Sequence, residues 1–294
     1  MAYRRVFQSG LTLCLLGLNA FGQSGGIEIF SGETLFYDGT RISLAHLYEQ
    51  GTDLYQGSDK APNPDNREYS KQRLILGYNY GLNARLTIGA LMPVVDPELG
   101  RDSGQTGSAG LGDTTFFGKW RLYTHDRPQN SRNLSLVFGL ETPTGRTGSV
   151  PPQPGSGSWN PFAAFALTED IRRWRYDAVA LFKVNTEGTG SLDMGDELSL
   201  SASVAYRYLH RPYPGASNSA KLGLLWQSQG SANTHGMAHD NSGSERLYLR
   251  PSLGFHPNPA IDISISFDLP LSQHYSGTQL GEDFRTFFAV GYRF

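Results

Sequence analysis

Phe284-Arg-Thr-Phe-Phe-Ala-Val-Gly-Tyr-Arg-Phe294, the last stretch of the chain, decides how the remainder is read. Stepping back in twos from Phe294 gives Tyr292, Val290 and Phe288, and the intervening positions hold Arg293, Gly291, Ala289, Phe287 and Arg285. A period of two is the signature of an extended strand, whose successive side chains point to opposite faces. One face here is oily and aromatic; the other carries two arginines.

The same alternation recurs upstream. In Ile261-Asp-Ile-Ser-Ile-Ser-Phe-Asp-Leu269 every odd position is apolar and every even one polar. Leu198, Leu200, Ala202, Val204, Tyr206 and Tyr208 oppose Glu197, Ser199, Ser201, Ser203 and Arg207. Leu222, Leu224 and Trp226 oppose Lys221, Gly223 and Gln227, and Leu247, Leu249, Leu253 and Phe255 oppose Arg246, Tyr248, Arg250 and Ser252. Phe116, Trp120 and Leu122 alternate with Phe117, Lys119 and Arg121, and Leu134, Leu136, Phe138 and Leu140 with Ser135, Gly139 and Glu141. With less regular segments at 40–49, 70–80, 85–94, 159–168 and 174–185, the pattern predicts about 12 strands in one domain. The pattern does not assign the faces of 73–80 and 162–167.

The connections alternate in length. Short links are expected at 81–84, 125–132, 169–173, 209–218 and 257–260. Long ones are expected at 50–69, 95–112, 142–158, 186–196, 228–245 and 270–283. Tight turns at one rim and long loops at the other belong to an up-and-down antiparallel barrel. The predicted fold class is therefore all-β, a transmembrane β-barrel of residues 23–294. A secreted sandwich or lipocalin-like barrel alternates too, with its apolar side turned inward, and periodicity alone does not separate the two. Strand length favours lipid, since the segments are long enough to cross a bilayer at a tilt. So do Tyr48, Tyr80, Tyr123, Trp159, Trp174, Tyr208 and Trp226 near strand ends, where interfacial girdles sit.

Residues 1–22 combine Arg4 and Arg5 with an apolar run from Leu11 to Leu18 and a small-residue end at Ala20-Phe-Gly22, the pattern of a cleavable signal peptide. The one cysteine, Cys14, lies inside it, so the exported chain has no thiol. Net charge is −2, and −4 once Arg4 and Arg5 leave with the leader. That balance, without a basic patch, argues against nucleic acid as a partner.

Candidate chemistry is sparse. Gly22-Gln-Ser24-Gly-Gly26 lacks the strand and helix that a nucleophile elbow requires, and Gly112 to Lys119 has the wrong spacing for a phosphate loop. His235, His239 and Asp240 share a loop with no further dependable ligand, and no His and Ser pair on an outward row as a lipid hydrolase would need. No catalytic, cofactor-binding or metal residue is assigned. The inward rows are the chemical feature: Lys119, Arg121, Lys183, Arg207, Lys221, Arg246, Arg250, Arg285 and Arg293 face Glu141, Asp177, Glu197, Asp262 and Asp268. They are expected to form cross-strand ion pairs and to give a polar, slightly cationic lumen as pore-lining candidates.

Three strings carry a family resemblance. They are Tyr80-Gly-Leu-Asn-Ala-Arg-Leu86, Gly110-Leu-Gly-Asp113 and Pro143-Thr-Gly145. In order and spacing they resemble the signatures of the "phenol degradation meta-pathway" outer-membrane proteins, with bulky Phe116, Phe117 and Trp120 as the departure in the middle motif. The terminal strand likewise resembles the closing strand of Gram-negative outer-membrane barrels, with Phe294 and Tyr292 as the signal read by the assembly machinery. The resemblance implies an outer-membrane location, both termini in the periplasm, lipid around the wall, and a monomeric channel for small aromatic or amphipathic molecules. A non-conducting structural barrel is the alternative.

Overall fold

The computed structural model describes residues 31–102, 104–148, 152–212 and 214–294. The leader at 1–22 lies outside them. Twelve long strands form the wall: β1 Thr40–Gly51, β2 Glu68–Asn83, β3 Leu86–Arg101, β4 Thr115–Arg127, β5 Asn130–Glu141, β6 Asn160–Ile171, β7 Trp174–Lys183, β8 Glu197–His210, β9 Ser217–Gln229, β10 Ser244–Asn258, β11 Ile261–Leu280 and β12 Phe284–Arg293. Each pairs antiparallel with its chain neighbours, and β1 closes on β12 from Arg41↔Arg293 to Gln50↔Phe284. At the seam Thr40 and Phe294 exchange both backbone bonds, at 2.8 and 2.9 Å. The rim holding Phe294 is the C-terminal rim, and the opposite one is the loop rim.

The outer face is apolar all the way round. Leu44, Leu76, Met92, Phe138, Phe165, Leu200, Leu224, Leu253 and Phe288 all stand exposed. An apolar belt of this extent is incompatible with water and suits hydrocarbon. Aromatic rings edge it: Trp174 packs on Tyr206 (4.8 Å between centroids) and Tyr292 on Phe294 (5.6 Å) near the C-terminal rim, and Tyr48 on Phe284 (5.9 Å) near the loop rim. The two ambiguous strands resolve as Leu74, Leu76 and Tyr78 outward against Arg73, Ile75 and Asn79 inward, and Phe165 and Leu167 outward against Ala164 and Ala166 inward.

The link expected at 270–283 is a correction. Strand β11 continues to Leu280 and only Gly281–Asp283 turns the chain. Pro270 and Gly277 read as loop, but the backbone there finds partners on both sides. Ser244 and Arg246 of β10 pair with Tyr275 and Gln273, and a hairpin of Leu54–Gly57 and Asp59–Ala61 pairs Tyr55 with Gln279. Leu54, Tyr69, Leu99 and Leu280 form a small apolar cluster beneath that hairpin. The β3–β4 ladder is also short, running only from Leu86↔Trp120 to Leu91↔Thr115, and above it Val94 and Val95 pair with Leu111 and Gly110 of the link.

An arginine placed on the belt tests which face meets lipid. Leu224→Arg should lower stability by about 2–4 kcal/mol, the cost of a midplane cation, in denaturant unfolding from lipid vesicles; an unchanged unfolding midpoint would contradict the assigned face.

Candidate functional site: the barrel interior

The interior follows from the even spacing of the strands, which sends every second side chain inward. Near the C-terminal rim these are ionic. Arg41 grips Asp262 with two bonds of 2.7 and 3.2 Å, Lys221 lies 2.8 Å from Asp177, and Arg207 bonds Asp170. Arg175 joins Asp177 (3.1 Å), Asp170 (3.4 Å) and Glu33 (2.9 Å). A cavity of about 120 Å³ lies among these groups.

Glu33 belongs to an arm, residues 31–39, whose inner part, 31–35, lies inside the wall, while Phe36 and Tyr37 stand exposed. Its backbone is held by wall side chains: the Leu35 amide donates to Thr87 (2.9 Å), the Gly32 amide to Thr168 (3.0 Å), and Ser135 donates to the Gly32 carbonyl (2.7 Å). Burial pushes the Glu33 carboxyl up, the Arg175 guanidinium more than offsets this, and the group ends below its ordinary value.

The middle of the interior was expected to be polar and is not. Leu47, Ile75, Leu91, Phe117, Val137, Ala164, Ala166, Val179, Leu181, Phe287 and Ala289 form one contiguous buried cluster along the arc from β12 through β1 to β7, with Phe162 packed against it. The aromatic rings lie flat because glycines make room: a Cβ on Gly139 would stand 2.4 Å from the Phe162 ring. The facing arc, β8 to β11, presents Ser199, Ser203, Ser252 and Ser266 with the Arg250–Asp268 pair. At mid-height the lumen therefore has an apolar side and a hydroxyl-rich side. Phe117, Phe287 and Ala289 already stood on inward rows in the sequence; Ile75, Ala164 and Ala166 escaped it because alternation carried little contrast in their strands.

Toward the loop rim lies a second ionic group, deeply buried. Glu282 accepts from Tyr248 (2.6 Å) and from Arg285 (2.6 and 2.8 Å), and bonds Arg246. Arg285 also reaches Gln227 at 2.8 Å and lies over the Tyr248 ring at 4.4 Å. Glu49 bonds Arg73 at 3.1 Å and stands 3.7 Å from Lys71. Such a group holds because each charge meets an opposite one in a dry site; removing one partner strands the other. Glu282 was missed because it sits in a link, where periodicity says nothing. Arg41, Glu49, Lys71, Arg73 and Arg175 do alternate with outward residues and could have been found that way.

The link between β5 and β6 folds into the lumen and is pinned by Asp113. That carboxylate accepts from the Gly145 amide (2.8 Å), the Ser156 amide (2.6 Å) and the Ser156 hydroxyl (2.7 Å). A Cβ on Gly145 would meet Asp113 Oδ1 and Gly155 at 2.7 Å. The Gly-Leu-Gly-Asp and Pro-Thr-Gly strings thus meet as one latch. Beneath it Lys183 contacts Glu197 at 3.2 Å and Asn160 donates to Glu141 at 3.0 Å, beside a second cavity of about 60 Å³.

All the sequence-predicted lumen residues stand on the inner face. Lys119, Glu141, Lys183, Arg246, Asp262, Asp268 and Arg285 are buried, and Arg121, Arg207, Lys221, Arg250 and Arg293 half-buried. They fall into separate groups at three levels. Tyr292 and Phe294 stand exposed on the outer side of the C-terminal rim. His239 bonds Thr234 through Nε2 at 2.8 Å, while Ser242 donates to the His239 backbone carbonyl, so imidazole and hydroxyl are not coupled. Among the described residues no three His, Cys, Asp or Glu side chains converge on a metal position.

The family model described as "Putative MetA-pathway of phenol degradation" matches residues 67–284. The chain belongs to this family. Among solved structures the barrel is similar to the COG4313 outer membrane channel from Pseudomonas putida F1, at 18% identity and a TM-score of 0.69, over 89% of this chain and 97% of that one. It is also similar to the beta domain of the Bordetella autotransporter BrkA, at 12% identity and a TM-score of 0.51, over 87% and 100%. At these identities the likeness is one of fold. A search of curated proteins gave no match.

Two outcomes follow from the interior contacts. Asp113→Ala removes three bonds to a buried carboxylate, each worth about 1.5–3 kcal/mol, so trypsin should cut after Arg146 at least about tenfold faster; an unchanged rate would mean the latch does not hold the link. The Glu33 pair should hold the arm above the usual carboxylate range and release it as pH falls through the depressed Glu33 value. A nitroxide at Leu35→Cys should become mobile on that acid limb, and Glu33→Gln should remove the pH dependence.

Proposed function

We propose that this member of the family is an outer-membrane channel or facilitator for small aromatic or amphipathic molecules. The observation that carries the reading is the two-sided middle of the lumen. An apolar arc of Leu47, Phe117, Phe162 and Phe287 faces a row of serines, and this surface suits a flat ring with one polar edge better than a fully hydrated sugar. The Pseudomonas putida protein is an outer membrane channel and the family is associated with phenol degradation, which together support transport of such compounds, and we read the chain as a transport barrel rather than an enzyme.

In this reading residues 1–22 direct export and are removed, lipid surrounds the wall, and the C-terminal rim faces the periplasm. Tyr292 and Phe294 are the aromatic signal for the assembly machinery. Lys119, and Lys183, Arg207, Lys221 and Arg250 with their carboxylate partners, line the path above and below the apolar arc. The closed seam leaves no strand edge for a second copy, which supports a monomer.

Flux across vesicles with a lipopolysaccharide outer leaflet tests this. The purified barrel should speed entry of a single-ring aromatic at least about tenfold over protein-free vesicles and do much less for a pentose. Equal rates with and without protein, together with no discrete conductance steps in planar bilayers, would leave only the non-conducting barrel.

A further inference from the structure

The hairpin turns at the C-terminal rim carry a charge pattern that neither the wall nor the lumen uses. Four of the five hairpins that turn there hold an exposed arginine: Arg85 where β2 meets β3, Arg127 where β4 meets β5, Arg172 and Arg173 where β6 meets β7, and Arg211 where β8 meets β9. The fifth, Asn258–Ile261, holds none. The five side chains therefore form a crescent along the β2 to β9 side of the rim. The acids of the same rim are engaged by other groups: Tyr80 donates to Asp38, Ser131 to Asp126, and Arg132 to Glu169. Among the described residues no carboxylate lies within ion-pair distance of any of the five. The loop rim has the opposite sign, with Glu68, Glu98, Asp102, Glu187, Asp240 and Glu245 exposed.

Depth decides what the crescent meets. Tyr123, Trp174 and Tyr208 stand exposed on the outer face, four, one and three residues from Arg127, Arg173 and Arg211. Aromatic rings in such positions sit at the headgroup level of a bilayer, and a strand advances about 3.3 Å per residue. The guanidiniums therefore lie in the layer of lipid phosphates, beyond the hydrocarbon. A guanidinium takes a phosphate through two parallel bonds. A zwitterionic headgroup brings its own cation to that phosphate, whereas an anionic one adds a net attraction for each arginine near the surface. The acidic loop rim repels the same lipid, so the preference belongs to one end of the barrel.

We propose that the crescent of Arg85, Arg127, Arg172, Arg173 and Arg211 is a binding surface for the phosphate groups of anionic phospholipids in the leaflet at the C-terminal rim. In the orientation given above that is the periplasmic leaflet. The surface fixes the depth of the barrel and needs no conduction through it.

Native mass spectrometry of the purified full chain, released from nanodiscs holding equal amounts of phosphatidylglycerol and phosphatidylcholine, provides the test. The barrel should retain phosphatidylglycerol at least about threefold over phosphatidylcholine at low salt. In about 1 M salt, where charges are screened beyond about 3 Å, the two should be retained about equally. Changing all five arginines to glutamine (Arg85→Gln, Arg127→Gln, Arg172→Gln, Arg173→Gln and Arg211→Gln) should abolish the preference while the heat-dependent gel shift of the folded barrel stays unchanged. If that variant fails to fold, Arg172→Gln with Arg173→Gln should still lower the preference at least about twofold. Arg67→Gln with Arg101→Gln, at the loop rim, should leave it as it was. Equal retention of the two lipids by the unaltered chain, or a preference that survives in the folded five-site variant, overturns the proposal. Flux is read separately, so failure here leaves the channel reading standing, and a barrel that conducts nothing leaves the crescent standing.

Discussion

Backbone hydrogen bonding in a medium without water is the constraint on which this structure depends. Hydrocarbon offers no partner to an exposed N–H or C=O, so a strand can sit there only if both edges are paired. The β1–β12 ladder meets that demand, with ten register pairs from Arg41↔Arg293 to Gln50↔Phe284. Once the sheet is closed, side-chain alternation is no longer a choice of core: one face must take lipid, and the other becomes the interior. The exposed leucines and phenylalanines outside, and the charged rows inside, are consequences of that closure.

The interior is then a problem of filling a cylinder that the wall side chains alone do not fill. The chain solves it differently at different heights. Ion pairs bridge neighbouring strands near both rims, where several wall strands and the Gly281–Asp283 link contribute to single groups such as Glu282 with Arg246, Arg285 and Tyr248. At mid-height the filling is apolar on one arc. Two segments from outside the wall complete it: the arm at 31–39 and the link pinned by Asp113. The short β3–β4 ladder lies beside that latch, and there the link itself supplies the pairing for Val94 and Val95. The latch and the wall are thus one construction at that point.

Much of this was legible in the sequence, and the limits were physical. Strands such as Ile261–Leu269 declared themselves because lipid and lumen impose opposite chemistry on alternate residues. Where the lumen is itself apolar, as along Ala164 and Ala166 or Ile75, that contrast vanishes and the face cannot be assigned from pattern. Links carry no period, so Glu282 and the reach of β11 to Leu280 were invisible. Asp113 stood out only as the end of its motif string, since its partners Gly145 and Ser156 lie far along the chain. The arm at Glu33 gave no signal, since it has neither strand period nor turn motif of note.

The chain's four tryptophans report most directly on which side meets hydrocarbon. Trp120, Trp159, Trp174 and Trp226 all belong to outward rows, so none should touch the aqueous lumen. Fluorescence in bilayers of brominated lipid should be strongly quenched, while iodide in the water should have little effect. Strong iodide quenching with no response to brominated chains would mean that the apolar belt does not face lipid, and the inside and outside assigned here would be reversed.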